Sequence, residues 1–212
     1  MGRINLNSLG VSGKIGSVVA YTSKSGKQVF RNYVIPNDPK TPKQLAHRMK
    51  FALVNKGLSP LNSSIKLGYR GNTNAYRLLV GRAYHEAITG QYPNFKLDYG
   101  KIKIADGNLL LPSDIVLNFD EDDGSALFSW DGHCYDSQNG AKGSDLFNVV
   151  ALNVKHNVVC SFLKIAKRSD GVASVSIPNI WMFEDTHFWV YLFSYSLQMN
   201  SESVYCKILK KS

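Results

Sequence analysis

KIKIADGNLLLPSDIVLNFDEDDGSALFSW, residues 101–130, alternates short apolar and β-branched runs with clusters of Asp, Asn, Gly and Pro. This is the pattern of short strands between tight turns. Residues 101–105 and 108–111 flank Asp106-Gly107, a pair that predicts a hairpin turn. Residues 115–119 and 126–130 flank the acidic turn Asp120-Glu121-Asp122-Asp123-Gly124. Further strands are expected at 147–154, 158–165, 173–177, 188–196 and 204–209, again parted by Gly, Asp, Asn and Ser. Such spacing predicts an antiparallel β-sandwich over residues 95–212. Side chains alternate across a strand, so Trp130 and Phe128 should face the core while Leu127 and Ser129 face away.

Upstream the pattern changes. Residues 15–34, IGSVVAYTSKSGKQVFRNYV, hold two β-prone runs, 17–22 and 28–34, around Lys24-Ser25-Gly26-Lys27. They predict a hairpin, with Gly26 supplying a positive φ. Gly10, Gly13 and Gly16 read as a glycine-rich turn leading into it. Three prolines at intervals of three, Pro36, Pro39 and Pro42, predict an extended connector. It ends in a helix start, with Thr41 as cap, Pro42 at the first helical position and Gln44 completing a capping box. The helix should cover 42–55, with Gly57 past its end. Leu45, Met49, Ala52 and Leu53 form its expected apolar stripe, and Lys43, His47 and Lys50 share the opposite face. A short helix over 61–69 and a longer one over 74–89 follow, the latter with Tyr76, Leu79, Val80, Ala83, Tyr84 and Ile88 on one stripe. The expected fold is α+β: an N-terminal β-hairpin plus helices in residues 1–94, then the C-terminal antiparallel sandwich in 95–212.

Charge is divided unevenly along this chain. The first eighty residues carry thirteen Lys and Arg against one acid, Asp38, and the rest carry twelve against fifteen. A basic front facing an anionic partner is the implied arrangement. The candidate anion- and nucleic-acid-binding residues are Lys14, Lys24, Lys27, Arg31, Lys43, His47, Arg48 and Lys50. Tyr21, Phe30, Tyr33 and Phe51 are interleaved with them and could stack on bases.

Other chemistry finds little support. Gly10-Val11-Ser12-Gly13-Lys14-Ile15-Gly16 is too short for a phosphate loop and has Ile where Ser or Thr is required. The 120–124 acidic run lacks the closing Glu and flanking helices of a calcium loop. His85-Glu86 lacks the second His of a zinc helix, and no nucleophile-elbow sequence is present. Neither catalysis, a cofactor nor a metal is expected. Three cysteines, Cys134, Cys160 and Cys206, form no C-x-x-C pair and read as free thiols in a reducing compartment. No secretory h-region stands at the start, and the most apolar run, 188–195, is too short to span a bilayer. The expectation is a cytoplasmic site of synthesis with no membrane span.

Two resemblances bear on this reading. Gly10-x-x-Gly13-Lys14-x-Gly16, Val18-Val19, Tyr21, Gly26-Lys27, Arg31 and Pro39-Lys40-Thr41-Pro42-x-Gln44, with Arg48, Lys50 and Phe51, resemble a family of uncharacterised proteins common in Bacteroidota. Ser201-Glu202-Ser203-x-Tyr205 looks like that family's closing strand. The 39–51 segment is also similar to one in phage and prophage structural proteins, which implies a virion or mobile-element setting and brings no catalytic residues. Ala126-Leu127-Phe128-Ser129-Trp130-Asp131 resembles the Trp-bearing second strand of fibronectin type III and related immunoglobulin-like sandwiches, which implies a Trp packed between two sheets. The function expected is a non-catalytic structural or assembly protein, phage-like in setting. Its partners would be nucleic acid, an acidic protein surface or other subunits of an assembly. The alternative is a β-sandwich module that recognises carbohydrate or a cell surface.

Overall fold

The computed structural model describes residues 3–5, 10–120, 122–133 and 141–209. The chain divides into two units, Met1–Thr41 and Pro42–Ser212. In the first, β1 (Arg3–Asn5), β2 (Gly10–Ile15), β3 (Val18–Thr22) and β4 (Gln28–Asn32) form an antiparallel meander in chain order. The expected hairpin is β3–β4, with Gly26 at φ +79° in its turn. The glycine-rich stretch, however, is itself a strand. Only Gly16, at φ +57°, turns the chain between β2 and β3. Ala20 is the one buried side chain among the described residues of this unit.

The second unit opens with α1 (Pro42–Leu58), then α2 (Asn62–Gly68) and α3 (Ala75–Glu86). Helix α1 begins where the capping box places it but runs past Gly57. A Cβ there would meet the side-chain ends of Leu97 and Tyr99, the latter at 2.9 Å from its hydroxyl oxygen. The fully buried residues of α1 are also not those of the expected stripe, of which Leu45 and Leu53 are only half-buried. At 3.6 residues per turn, Lys43, His47, Lys50 and Val54 fall on one line, and Leu58 lies close to it. Val54 and Leu58 are fully buried. Met49 and Ala52, on the expected apolar stripe, are exposed. The apolar count over the first three turns was misleading because the helix reaches the core only with its last two turns.

Past the helices come β5 (Ile88–Thr89) and β6 (Lys96–Leu97), paired with each other. The remaining strands are β7 (Val116–Asp120), β8 (Ser125–Ser129), β9 (Leu146–Asn153), β10 (Val158–Lys167), β11 (Val172–Ser176), β12 (Thr186–Ser194), β13 (Met199–Asn200), β14 (Val204–Cys206) and β15 (Ile208–Leu209). One sheet has the order β11-β8-β7-β15. The other runs β10-β9-β12-β13, with β14 also on β12. Hairpin pairs β7–β8 and β9–β10 stay within a sheet and the chain crosses between them, as in immunoglobulin-like sandwiches. The protein is thus α+β with a sandwich-like C-terminal part.

Two cores share one sheet. Leu117, Phe119, Ala126 and Phe128 pack against Phe147, Val149, Phe188 and Val190 between the sheets. Val150, Leu152, Trp189 and Tyr191, on the far face of β9 and β12, pack under Leu58, Ile65, Leu79 and Ala83 of the helices. Strands covered on both faces need near-continuous apolar sequence, as FNVVAL (147–152) and FWVYLF (188–193) provide. The shared core also corrects the expected division at 94/95: the helices belong with the sandwich, and the chain divides after Thr41.

The hairpin expected at 101–111 does not form. Ile102, Ile104 and Ala105 run extended beneath the helices, fully or almost fully buried. Their backbone forms no ladder and is satisfied largely by side chains, with the Ala105 carbonyl accepting the Ser203 amide and the Ile102 amide donating to the Tyr99 carbonyl. Trp189 Nε1 donates to the Ile102 carbonyl (2.8 Å), the Tyr69 hydroxyl to that of Lys103 (2.8 Å), and Ser203 Oγ accepts from the amides of Ile104 and Ala105 (2.8 and 3.1 Å). Gly68 crosses this segment so closely that a Cβ would sit 2.8 Å from the Ala105 Cα and closer still to the Ile104 carbonyl oxygen. Gly68→Ala must push α2 off the segment. It is expected to destabilise the protein by about 1–3 kcal/mol in urea unfolding, as overpacking does.

Candidate anion-binding surfaces

The eight basic residues singled out from sequence lie in two places. Lys14, Lys24, Lys27 and Arg31 belong to the N-terminal sheet. Cross-strand partners share a face, and the register Lys14↔Val19↔Arg31 puts two cations on one face of β2 and β4 with Val19 between them. Two strand spacings set their backbones about 10 Å apart. Lys14 Nζ sits 3.7 Å from the Tyr33 ring centroid. Lys24 and Lys27 lie at the exposed β3–β4 turn, which is closed by amide bonds from Gly26 to Ser23 and from Ser23 to Lys27, both 2.9 Å. Residues 1–41 hold six bases, Arg3, Lys14, Lys24, Lys27, Arg31 and Lys40, against Asp38 alone. Ile15, Tyr21, Phe30 and Tyr33 are each about half exposed beside them.

Lys43, His47, Arg48 and Lys50 lie on α1. The line of Lys43, His47 and Lys50 continues into the buried Val54 and Leu58, with Lys43 and His47 exposed and Lys50 half-buried. His47 Nδ1 is 2.5 Å from the Tyr84 hydroxyl, with the rings edge to face, and Lys50 Nζ lies 4.9 Å from the centroid of Phe95. Lys43 and Arg48 are exposed. Beside His47 a groove of about 540 Å³ opens between α1 and α3, lined by Phe51, Asn55, Tyr76, Arg77 and Tyr84 among others. Arg77 was not among the expected residues. Its helical spacing from Tyr84 (i, i+7) is the sequence signal that pairs them on one face.

A second polar cluster was not read from sequence at all. His187 stacks on Tyr99 with ring centroids 4.4 Å apart, and its Nδ1 is 2.8 Å from the Tyr205 hydroxyl. Burial holds the imidazole below its ordinary pKa, against the opposing pull of Asp185 and Asp98. Two of the cysteines, Cys160 and Cys206, are free, and burial pushes Cys206 up to about 12. Cys134 lies outside the described residues. In the 120–124 run, Asp120 and Asp123 serve as turn acceptors, Asp120 Oδ1 for the Asp122 amide and Asp123 Oδ1 for that of Ser125. No helix among the described residues is long and apolar enough to cross a membrane.

Fold and sequence together define a mixed α+β protein with a basic N-terminal sheet and a helix-backed, sandwich-like second unit. Residues 10–207 match a family of unknown function, DUF6266, and the chain belongs to that family. Comparison with the curated proteins and with the solved structures returned no match.

Proposed function

We propose that this chain is a non-catalytic structural or assembly protein of a phage-like particle, and that its N-terminal sheet docks on nucleic acid. One observation carries the reading. Among the described residues of the N-terminal unit, which folds as one four-stranded sheet, a single side chain is buried, and residues 1–41 carry six cations to one acid. A lone layer gains little from its own packing and its charges repel one another, so an anionic partner that accepts the cations relieves both. Tyr21, Phe30 and Tyr33 add rings on which bases can stack. The phage-like setting rests on the resemblance of the 39–51 segment. The carbohydrate alternative has weaker support: the groove at Tyr99 and Tyr205 already uses one tyrosine ring to stack on His187 and the other's hydroxyl to meet it.

The test is an anisotropy titration with single- and double-stranded oligonucleotides over a range of salt. Affinity is expected to fall steeply as salt rises, because neutralised phosphates release counterions. Lys14→Glu with Arg31→Glu should weaken binding and lower the log–log salt slope by about 1.4–1.8 for two lost phosphate contacts. Both positions are exposed, so the fold should tolerate the change. Absence of binding to either form at low salt rejects nucleic acid and leaves an acidic protein surface as the partner to seek.

A further inference from the structure

On the face of the body where α2 meets β9, β10, β12 and β13, a pocket of about 250 Å³ opens. Leu67, Leu163 and Tyr191 give it apolar walls, and Asn148 and Asn200 also line it. Its rim is a chain of four groups. The Arg70 guanidinium lies 4.7 Å from the Phe193 ring centroid, Phe193 meets Tyr195 edge to face at 5.2 Å, and Lys164 Nζ lies 4.7 Å from the Tyr195 centroid. Each cation is oriented by a neutral acceptor, Arg70 by Gln198 Oε1 (2.9 Å) and Lys164 by the Tyr195 hydroxyl (2.5 Å). Neither has a carboxylate within ion-pair distance among the described residues. Most of the donors on both groups therefore remain uncommitted.

The backbone is bent to place one of these cations. Pairing of β10 with β9 is regular up to Phe162↔Val149 and resumes only at Ala166↔Phe147, so 163–165 stand opposite Asn148 alone. Lys164, at the centre of this bulge, has φ +58°, a left-handed conformation that is unfavourable for a residue with a Cβ. Asn148, 3% exposed, supports it. Its Oδ1 accepts the Lys164 amide (2.9 Å), and its Nδ2 donates to the carbonyls of Leu146 (3.1 Å) and Tyr191 (3.3 Å). A bulge on an edge strand also discourages edge pairing. That role requires neither a lysine at the strained position nor an arginine on α2's flank aimed at the adjoining ring.

We propose that this pocket binds a small organic carboxylate with an aromatic or apolar body, its charge held by Arg70 and Lys164 and its body by Leu67, Leu163 and Tyr191. The volume lies below the ~300–1,000 Å³ of drug-sized sites, which restricts the ligand to a small one. Burial pushes the Tyr191 phenol up to about 12, so this wall stays neutral and does not repel an anion. The acid is either a free small molecule or the C-terminus of a peptide, and both offer the same chemistry.

Calorimetric titration of the full chain tests this with phenylacetate, its uncharged isostere phenylacetamide, and an N-acetyl tripeptide ending in Phe as free acid or amide. Phenylacetate is expected to bind saturably, and phenylacetamide about tenfold more weakly or worse. Arg70→Gln and Lys164→Gly should each reduce phenylacetate affinity by about fivefold or more. Because glycine accepts a positive φ, the urea midpoint of Lys164→Gly should hold or rise while binding falls. Tripeptide acid binding as well as phenylacetate assigns the site to chain ends; phenylacetate alone binding assigns it to free acids. No saturable binding at about 10 mM, equal binding of acid and amide, or undiminished binding in both variants would overturn the proposal.

Discussion

Replacing Trp130 by alanine is expected to cost about 3–5 kcal/mol in urea unfolding, the range for large aromatic deletions in a core. The indole is 7% exposed and lies flat on Phe147, with ring centroids 4.0 Å apart and an interplanar angle of 5°. Phe147 belongs to the opposite sheet, so this stack joins the two layers. The indole Nε1 also donates to the Arg168 carbonyl at 2.8 Å. Alanine loses the stack and the packing and leaves that carbonyl without its donor. Trp130→Phe separates the contributions, since it keeps an aromatic surface against Phe147 and loses only the hydrogen bond and some volume. Its cost should be clearly smaller. An alanine variant as stable as the parent would mean that Phe147 finds equivalent cover without the indole.

Asp145→Ala should be as damaging for an electrostatic reason. Asp145 and Arg168 are 1% and 3% exposed, with Arg168 Nε 3.6 Å from Asp145 Oδ2. The same carboxylate oxygen accepts the Lys142 amide (2.8 Å), the Asp145 carbonyl accepts the Arg168 amide (2.8 Å), and the guanidinium donates to the Leu110 carbonyl. Together these bonds tie the approach to β9, the end of β10 and the 110 segment at one point. At 3.6 Å the Nε contact is an ion pair rather than a hydrogen bond, and Nε has no hydrogen-bond partner. Removing the carboxylate leaves a buried cation with no counter-charge, which costs about 3–5 kcal/mol. Asp145→Ala combined with Arg168→Met should recover part of that loss, because no isolated charge is then left behind. If the double variant were no more stable than Asp145→Ala, loss of the bonds around Lys142 and Leu110 would account for the effect.

Most strands from Ile115 onward were legible because alternation and turn residues are local properties, although the run expected at 204–209 splits into β14 on β12 and β15 on β7, in different sheets. The strands expected at 115–119, 126–130, 147–154, 158–165 and 173–177 appear within one or two residues of those limits. Trp130 and Phe128 are buried, and Leu127 is exposed, as the alternation required. Residues 101–105 failed because their apolar side chains are also what a segment buried under helices needs, and neighbouring residues cannot distinguish a ladder partner from Ser203. The face of α1 failed for a similar reason. Val54 and Leu58 outweigh Met49 and Ala52 only once the sheet beneath them is in place.

The basic residues themselves could be counted from the sequence, and so could their excess over acids. Their grouping could not. The register that pairs Lys14 with Arg31 across Val19 needs strand β2, which read as a turn. Arg70 and Lys164 lie 94 positions apart in the sequence, and a bulge in β10 and two aromatic rings, Phe193 of β12 and Tyr195 just past it, bring them to one rim. Composition and the charge imbalance, which are sums over residues, and strand alternation and helix starts, which depend on residues within a few positions of one another, were determined by the sequence alone. Which faces are covered, which lysines remain available to a ligand and where the chain divides were decided by tertiary structure, because each depends on contacts between residues far apart in the chain.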